Sequence, residues 1–221
     1  MTNAGERAAR RVGILISGRG SNMLALSDAV RDGRVPGAEI VVVLSDKAAA
    51  AGLAHAAERG VETLAVERRG RTREEHEREI VERLRARRVE LVCLAGYMRL
   101  LSPYFVAAFP RAILNVHPSL LPAFPGLDAQ RQAVEHGVKW SGCTVHFVDD
   151  TLDGGPIITQ RAVHGLDSDT PEALAARILA EEHAAYPEAL ALVCSGRYEV
   201  VGRRVVKRQA GETGRPTPNF E

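Results

Sequence analysis

Val12-Gly13-Ile14-Leu15-Ile16-Ser17-Gly18-Arg19-Gly20-Ser21-Asn22 is the stretch that decides how this chain is read. The apolar run Val12 to Ile16 leads without a break into a turn holding two glycines. A helical pattern from Met23 to Val30 follows and is closed by Gly33 and Pro36. A second apolar run, Ile40 to Leu44, ends at Ser45-Asp46 and completes a strand–helix–strand unit. Outward from this unit the alternation continues. An alanine-rich helix over Ala48 to Arg59 stops at Gly60, and Val61 to Val66 reads as a third strand. Thr72 to Arg88 reads as a long charged helix with Ile80, Val81 and Leu84 at helical spacing and Glu/Arg pairs over the rest. Leu91 to Ala95 is a strongly apolar strand. Apolar strands without alternation are buried on both faces, and strands that alternate with helices build a parallel sheet. The expected fold class is α/β, an open, mostly parallel central sheet with helices on both faces.

The later part changes character. Ile113 to Val116, Thr144 to Val148 and Pro156 to Val163 are expected strands. The helix expected from Pro171 to Val193 opens with Thr170 as N-cap and proline at its first position. Tyr198 to Val201 and Arg204 to Lys207, joined at Gly202, give a terminal hairpin. No repeat or linker is visible. Residues 1–221 are therefore expected to form a single domain, with a polar extension over residues 1–11 and a mobile polar tail over residues 209–221.

Composition removes several function classes. With 45% hydrophobic and 26% charged residues the chain is neither disordered nor fibrous. Lys plus Arg is 29 against 28 Asp plus Glu, a net charge of +1, so there is no global attraction to nucleic acid or to an acidic membrane. No apolar stretch approaches the ~18 residues of a membrane span. The first eleven residues are polar and arginine-bearing and do not read as a secretion signal. Cys93, Cys143 and Cys194 are too few and too scattered for a disulfide framework or a metal site, and the first two lie in apolar runs as buried thiols. The expected setting is a reducing cytoplasm. The expected partners are small-molecule substrates, with no nucleic acid and no membrane, and a homodimer is left open.

Two clusters carry chemistry. Backbone N–H groups at a helix N-terminus carry partial positive charge, so Gly18-Arg19-Gly20-Ser21-Asn22 suits a phosphate. A dinucleotide fingerprint would want glycine where Met23 stands, which favours a smaller phosphorylated ligand. The alternative is a tight turn with Ser21 or Asn22 as a plain N-cap. In the second cluster, Asn115 and His117 alternate along a strand and project from one face near its C-terminal end. An amide can hydrogen-bond a developing oxyanion, and an imidazole beside it can give or take a proton. The alternative is a histidine satisfied by a loop carbonyl. After the strand Thr144 to Val148 comes Asp149-Asp150-Thr151-Leu152-Asp153-Gly154-Gly155. A carboxylate at Asp153 near His117 would favour the charged ring and fix its orientation. The alternative is a solvated acidic turn. His146 is either structural or beside the site, and His55, His76, His136 and His164 are read as surface or helix residues. No tight His-x-x-x-His spacing points to a metal, and no Gly-x-Ser-x-Gly points to a serine hydrolase.

These motifs together resemble the phosphoribosylglycinamide formyltransferases, folate-dependent enzymes of purine synthesis. The resemblance runs from about Val12 to about Val193. It rests on Ile16 to Asn22, Leu94-Ala95-Gly96-Tyr97-Met98-Arg99, Asn115-Val116-His117-Pro118-Ser119-Leu120-Leu121-Pro122-Ala123-Phe124-Pro125-Gly126, Val145-His146-Phe147-Val148 and Leu152-Asp153-Gly154-Gly155-Pro156. It implies a Rossmann-like formyltransferase fold, 10-formyltetrahydrofolate as co-substrate and no metal. It implies Asn115, His117 and Asp153 as the catalytic trio. Gly20, Ser21, Asn22, Met23, Leu24 and Glu182 would hold the phosphoribosylglycinamide. Arg73, Met98, Arg99, Leu100, Leu101, Asn115, Asp149, Asp150, Thr151, Leu152 and Asp153 would hold the folate. Methionyl-tRNA formyltransferase and formyltetrahydrofolate hydrolase share the Asn-x-His and Asp cluster. The first carries Arg-Gly where this chain has Pro125-Gly126, and both carry an additional domain for which this sequence leaves little room. A non-catalytic phosphometabolite-binding module is the alternative from another class.

Overall fold

The computed structural model describes residues 8–208. In chain order the elements are β1 (Arg10–Ile16), α1 (Ser21–Arg31), β2 (Ala38–Ser45), α2 (Ala51–Glu58), β3 (Thr63–Ala65), α3 (Arg73–Ala86), β4 (Leu91–Leu94), α4 (Pro103–Ala108), β5 (Ile113–His117), α5 (Ala129–Glu135), β6 (Trp140–Phe147), β7 (Ile157–His164), α6 (Pro171–Ser195), β8 (Tyr198–Val201) and β9 (Arg204–Lys207). They build one nine-stranded sheet in the order β3-β2-β1-β4-β5-β6-β7-β9-β8. The strands from β3 to β5 are mutually parallel. β6 returns antiparallel to both β5 and β7, and β9 rejoins β7 in parallel.

The continuous apolar strands lie where double-sided burial puts them. Val12, Ile14, Leu15 and Ile16 of the central β1 have no solvent exposure. One face of the sheet packs against α1, α2, α5 and α6 through residues such as Leu26, Ala56, Ala133 and Ile178. The other packs against α3 and α4 through Ile80, Leu84 and Phe105. The charged helix α3 starts from a reciprocal cap. Thr72 Oγ1 accepts from the Glu75 N–H at 3.2 Å, and Glu75 Oε2 accepts from the Thr72 N–H at 2.8 Å. Thr170 caps α6 as expected, and Gly196 closes it in the left-handed conformation at φ 64°.

Several expectations need correction. β1 begins at Arg10, inside the expected polar extension; residues 1–7 and the tail over residues 209–221 lie outside the described residues. β6 begins at Trp140, four residues before the expected strand. Gly142 breaks the apolar run there, but pairing with β7 carries the ladder through it. The short helices α4 and α5 were not expected. His76, read as a surface or helix residue, is helical but 1% exposed, with Nε2 at 2.6 Å from the Val66 carbonyl.

Candidate active site

The glycine turn leaves β1 and enters α1 with Gly20 as N-cap, at φ 78°. Among the described residues no side chain caps this end, contrary to the plain-cap reading of Ser21 or Asn22. The Leu24 N–H already donates to the Gly20 carbonyl at 2.9 Å. The amides offered outward are therefore those of Ser21, Asn22 and Met23, the first turn of a helix, which has no carbonyl partners of its own. The Met23 side chain has no exposure and Leu24 is half-buried, so both face the core. The turn also needs a neighbour that the sequence did not single out. A Cβ on Gly52 of α2 would meet Ile16 Cδ1 at 2.5 Å, the Gly18 oxygen at 3.1 Å and Gly20 Cα at 3.2 Å. Only a hydrogen there lets α2 brace the turn, through the Gly52 N–H to the Gly18 carbonyl at 3.1 Å.

Asn22 Nδ2 donates to Glu182 Oε2 at 2.6 Å, joining α1 to α6. Burial raises the Glu182 carboxyl above the usual glutamate range, opposed by the Asn22 hydrogen bond. Asn22 Oδ1 is buried without a partner among the described residues.

The second cluster sits on β5 and β6. Asn115 and His117 share a face of β5, and their antiparallel partners are His146 and Thr144. Asp153 comes from the loop after β6 in the left-handed conformation, φ 48°, sparsely populated for any residue with a Cβ. One carboxylate oxygen, Oδ2, accepts from the Gly126 N–H at 2.8 Å and lies 3.4 Å from His117 Nδ1. His117 Nε2 faces the Phe124 carbonyl at 2.8 Å. Both ring nitrogens thus face oxygen acceptors, and the imidazolium is the form that satisfies both. This joins the two sequence readings of His117, since it meets a loop carbonyl and a carboxylate at once. His146 lies beside the trio, its Nε2 at 3.2 Å from Asn115 Nδ2 and 3.7 Å from Asp153 Oδ1.

The third component follows β4. The Met98 N–H donates to Ser17 Oγ at 2.9 Å, tying this stretch to the glycine turn. Arg99 Nε donates to the buried Asp46 at 2.6 Å. The Ser102 N–H donates to the buried Glu77 of α3 at 3.0 Å, and Ser102 Oγ bonds the same carboxylate. Asp46 and Glu77 were not singled out in the sequence; their only signal was position, one at a strand end and one a turn beyond Arg73. Arg73 itself is exposed at the first residue of α3. Met98, Leu100 and Leu152 are 68%, 61% and 54% exposed, apolar surfaces of the kind a flat ring system covers. Asp149 Oδ1 accepts from the Thr151 N–H at 2.9 Å, so this carboxylate shapes its own loop. A groove of about 490 Å³ between α4 and the β8–β9 turn takes Asp149 and Asp150 into its wall but none of the trio.

The sheet register brings the three components together. Leu15 of β1 pairs with Leu94 of β4, and Leu94 pairs with Asn115 of β5. The glycine turn, the Met98–Leu101 stretch and the Asn–His pair therefore belong to three adjacent parallel strands. Burial pushes the Cys93 and Cys143 thiols up to about 12, which makes them poor nucleophiles. Among the described residues no group of three or more His, Cys, Asp or Glu is placed to hold a metal ion. No helix among them is long and apolar enough to cross a membrane.

Comparison with known proteins identifies the family. The formyl transferase family model matches residues 10–190. The trifunctional purine biosynthetic protein adenosine-3 of Drosophila pseudoobscura pseudoobscura is 47% identical over 203 residues, 91% of this chain, which spans only 15% of that relative's length. The phosphoribosylglycinamide formyltransferase of Escherichia coli (strain K12) is 40% identical over 85% of this chain and 88% of its own length. Among solved structures, glycinamide ribonucleotide transformylase 1 from Symbiobacterium toebii superposes with a TM-score of 0.90 at 52% identity, covering 93% of this chain and all of that one. The chain belongs to the formyl transferase family.

Proposed function

We propose that this chain is a phosphoribosylglycinamide formyltransferase. It moves the formyl group of 10-formyltetrahydrofolate onto the amine of 5-phosphoribosylglycinamide in purine biosynthesis, and the N-formyl product and tetrahydrofolate leave. The carrying observation is the register Leu15–Leu94–Asn115, which sets a glycine turn with unpaired first-turn amides, an exposed apolar stretch and the Asn–His pair on adjacent strands. The free amides of Ser21, Asn22 and Met23 suit the phosphate. Glu182 is poised for the polar end of the same substrate. Met98, Leu100 and Leu152 supply apolar surface for the pteridine, and Arg73 supplies positive charge for the anionic tail of the folate, while Arg99, paired with Asp46, holds the Met98–Leu101 stretch in place.

In this reading the amine attacks the formyl carbon, the bond from that carbon to N10 breaks, and the proton lost by the amine ends on N10. Asn115 donates to the oxyanion formed on the way, and the His117 ring, in its imidazolium form, adds a positive charge beside it. Asp153, 3.4 Å from Nδ1, orients that ring and can pass the proton. A well-placed oxyanion donor is worth about 3 kcal/mol.

The test follows consumption of formyl-folate by absorbance with and without phosphoribosylglycinamide. Turnover that requires the amine is expected. Turnover without it, releasing formate, would identify a hydrolase; binding of the nucleotide with no turnover would identify a binding module.

A further inference from the structure

Asn115 can serve an oxyanion only if its NH₂ group, and not its carbonyl, faces the reacting carbon. Nothing in an isolated asparagine enforces this, because the two ends of the amide are nearly the same size. The partner that could enforce it is His146, directly opposite on β6 and 2% exposed. Its Nδ1 lies 2.8 Å from the Phe147 carbonyl, which can only accept, so Nδ1 carries the hydrogen. Burial lowers the pKa of His146 below the ordinary histidine value, which favours the neutral ring. In that ring Nε2 is a bare lone pair. It can accept from Asn115 Nδ2 at 3.2 Å, whereas the Asp153 carboxylate at 3.7 Å offers it no hydrogen.

We infer that His146, in its Nδ1–H tautomer, is a positioning residue that holds the Asn115 amide in the one orientation that leaves its second N–H free for the oxyanion. The inference rests on the transferase reading above and adds a residue that acts through Asn115. His146 touches no reacting atom in it. The hydrogen-bond chain runs from the Phe147 carbonyl through both ring nitrogens to the amide, and a fault in either bond frees the amide to flip.

The experiment compares His146→Leu, which has no acceptor, with His146→Gln, whose side-chain carbonyl can occupy the place of Nε2. Both are measured alone and in an Asn115→Ala background, with thermal melting as a check on folding. One oriented hydrogen bond is worth about 1–2 kcal/mol, so kcat is expected to fall roughly five- to thirtyfold in His146→Leu. KM for both substrates is expected to stay within about twofold, and His146→Gln to recover most of the loss. In the Asn115→Ala background His146→Leu is expected to change kcat no further. An equal loss in that background, or full kcat in His146→Leu, would overturn the inference. If Asn115→Ala itself left kcat intact, the oxyanion role would fail first, which separates the two failures. Should His146→Leu not fold, nitrogen-15 NMR of the parent protein decides: a hydrogen on Nδ1 and none on Nε2 supports the inference, and the reverse tautomer contradicts it.

Discussion

At the scale of single residues, Glu182, proposed to bind the nucleotide, is a carboxylate held at a cost to stability. It is 7% exposed, and its carboxylate accepts one hydrogen bond among the described residues, from Asn22. Desolvation raises its pKa, so the folded chain keeps the proton to higher pH than the unfolded chain does. The stability this group contributes is full below the ordinary glutamate value and is lost as pH rises through the raised value. Glu182→Gln keeps an acceptor for Asn22 and removes the buried charge. Its Tm is expected to exceed the parent's in mildly alkaline buffer and to converge with it in acid, while KM for the nucleotide rises. A variant melting below the parent at alkaline pH would contradict this. Asn115 and His117 were legible at this scale, because alternation along a strand fixes which residues share a face. A loop carbonyl for His117 was one of the readings, but that it is Phe124's was not legible, since a particular backbone acceptor carries no sequence signal. The burial of His76 escaped for the same reason, its partner being the Val66 carbonyl.

At the scale of elements, the long strands and helices were readable because apolar runs and caps are local. The short helices were not. α4 has six residues and is held from outside: Ser102 caps it, and Glu77 from α3 holds Ser102. α5 has seven and starts from Asp128 in the left-handed conformation, φ 56°. Neither is long enough for its own periodicity to speak. The brace between α2 and the glycine turn belongs here too. Alanine is favoured over glycine inside a helix by about 1 kcal/mol. At Gly52 a methyl group would press on the Gly18 and Gly20 backbone, and overpacking of this kind costs about 1–3 kcal/mol. The second effect wins. Gly52→Ala is expected to lower Tm and raise KM for the phosphorylated substrate, with KM for the folate little changed. Equal rises in both KM values would show that the brace serves the fold in general and not the turn.

At the scale of the molecule, α6 ties the sheet together from behind. The Tyr186 hydroxyl, fully buried, sits 3.1 Å from the Leu94 carbonyl and 2.9 Å from the Leu114 carbonyl, bridging the two strands that carry the candidate site. Tyr186→Phe is expected to cost about 1 kcal/mol of stability, read as a lower Tm, with kcat little affected. A large fall in kcat at unchanged Tm would place Tyr186 in the chemistry instead. The sheet's parallel half was legible in the sequence because its strands are apolar throughout. The antiparallel return of β6 was not, since no local signal says on which side a strand comes back.

The central claim is that the amide of Asn115 binds the transition state more strongly than the ground state. Steady-state kinetics of Asn115→Ala, with both substrates varied, tests it most directly. A fall in kcat of about 10²- to 10³-fold is expected, with KM for phosphoribosylglycinamide within a few fold of the parent. A rise in KM that matches the loss in kcat/KM, with kcat preserved, would make Asn115 a ground-state binding residue and contradict the account.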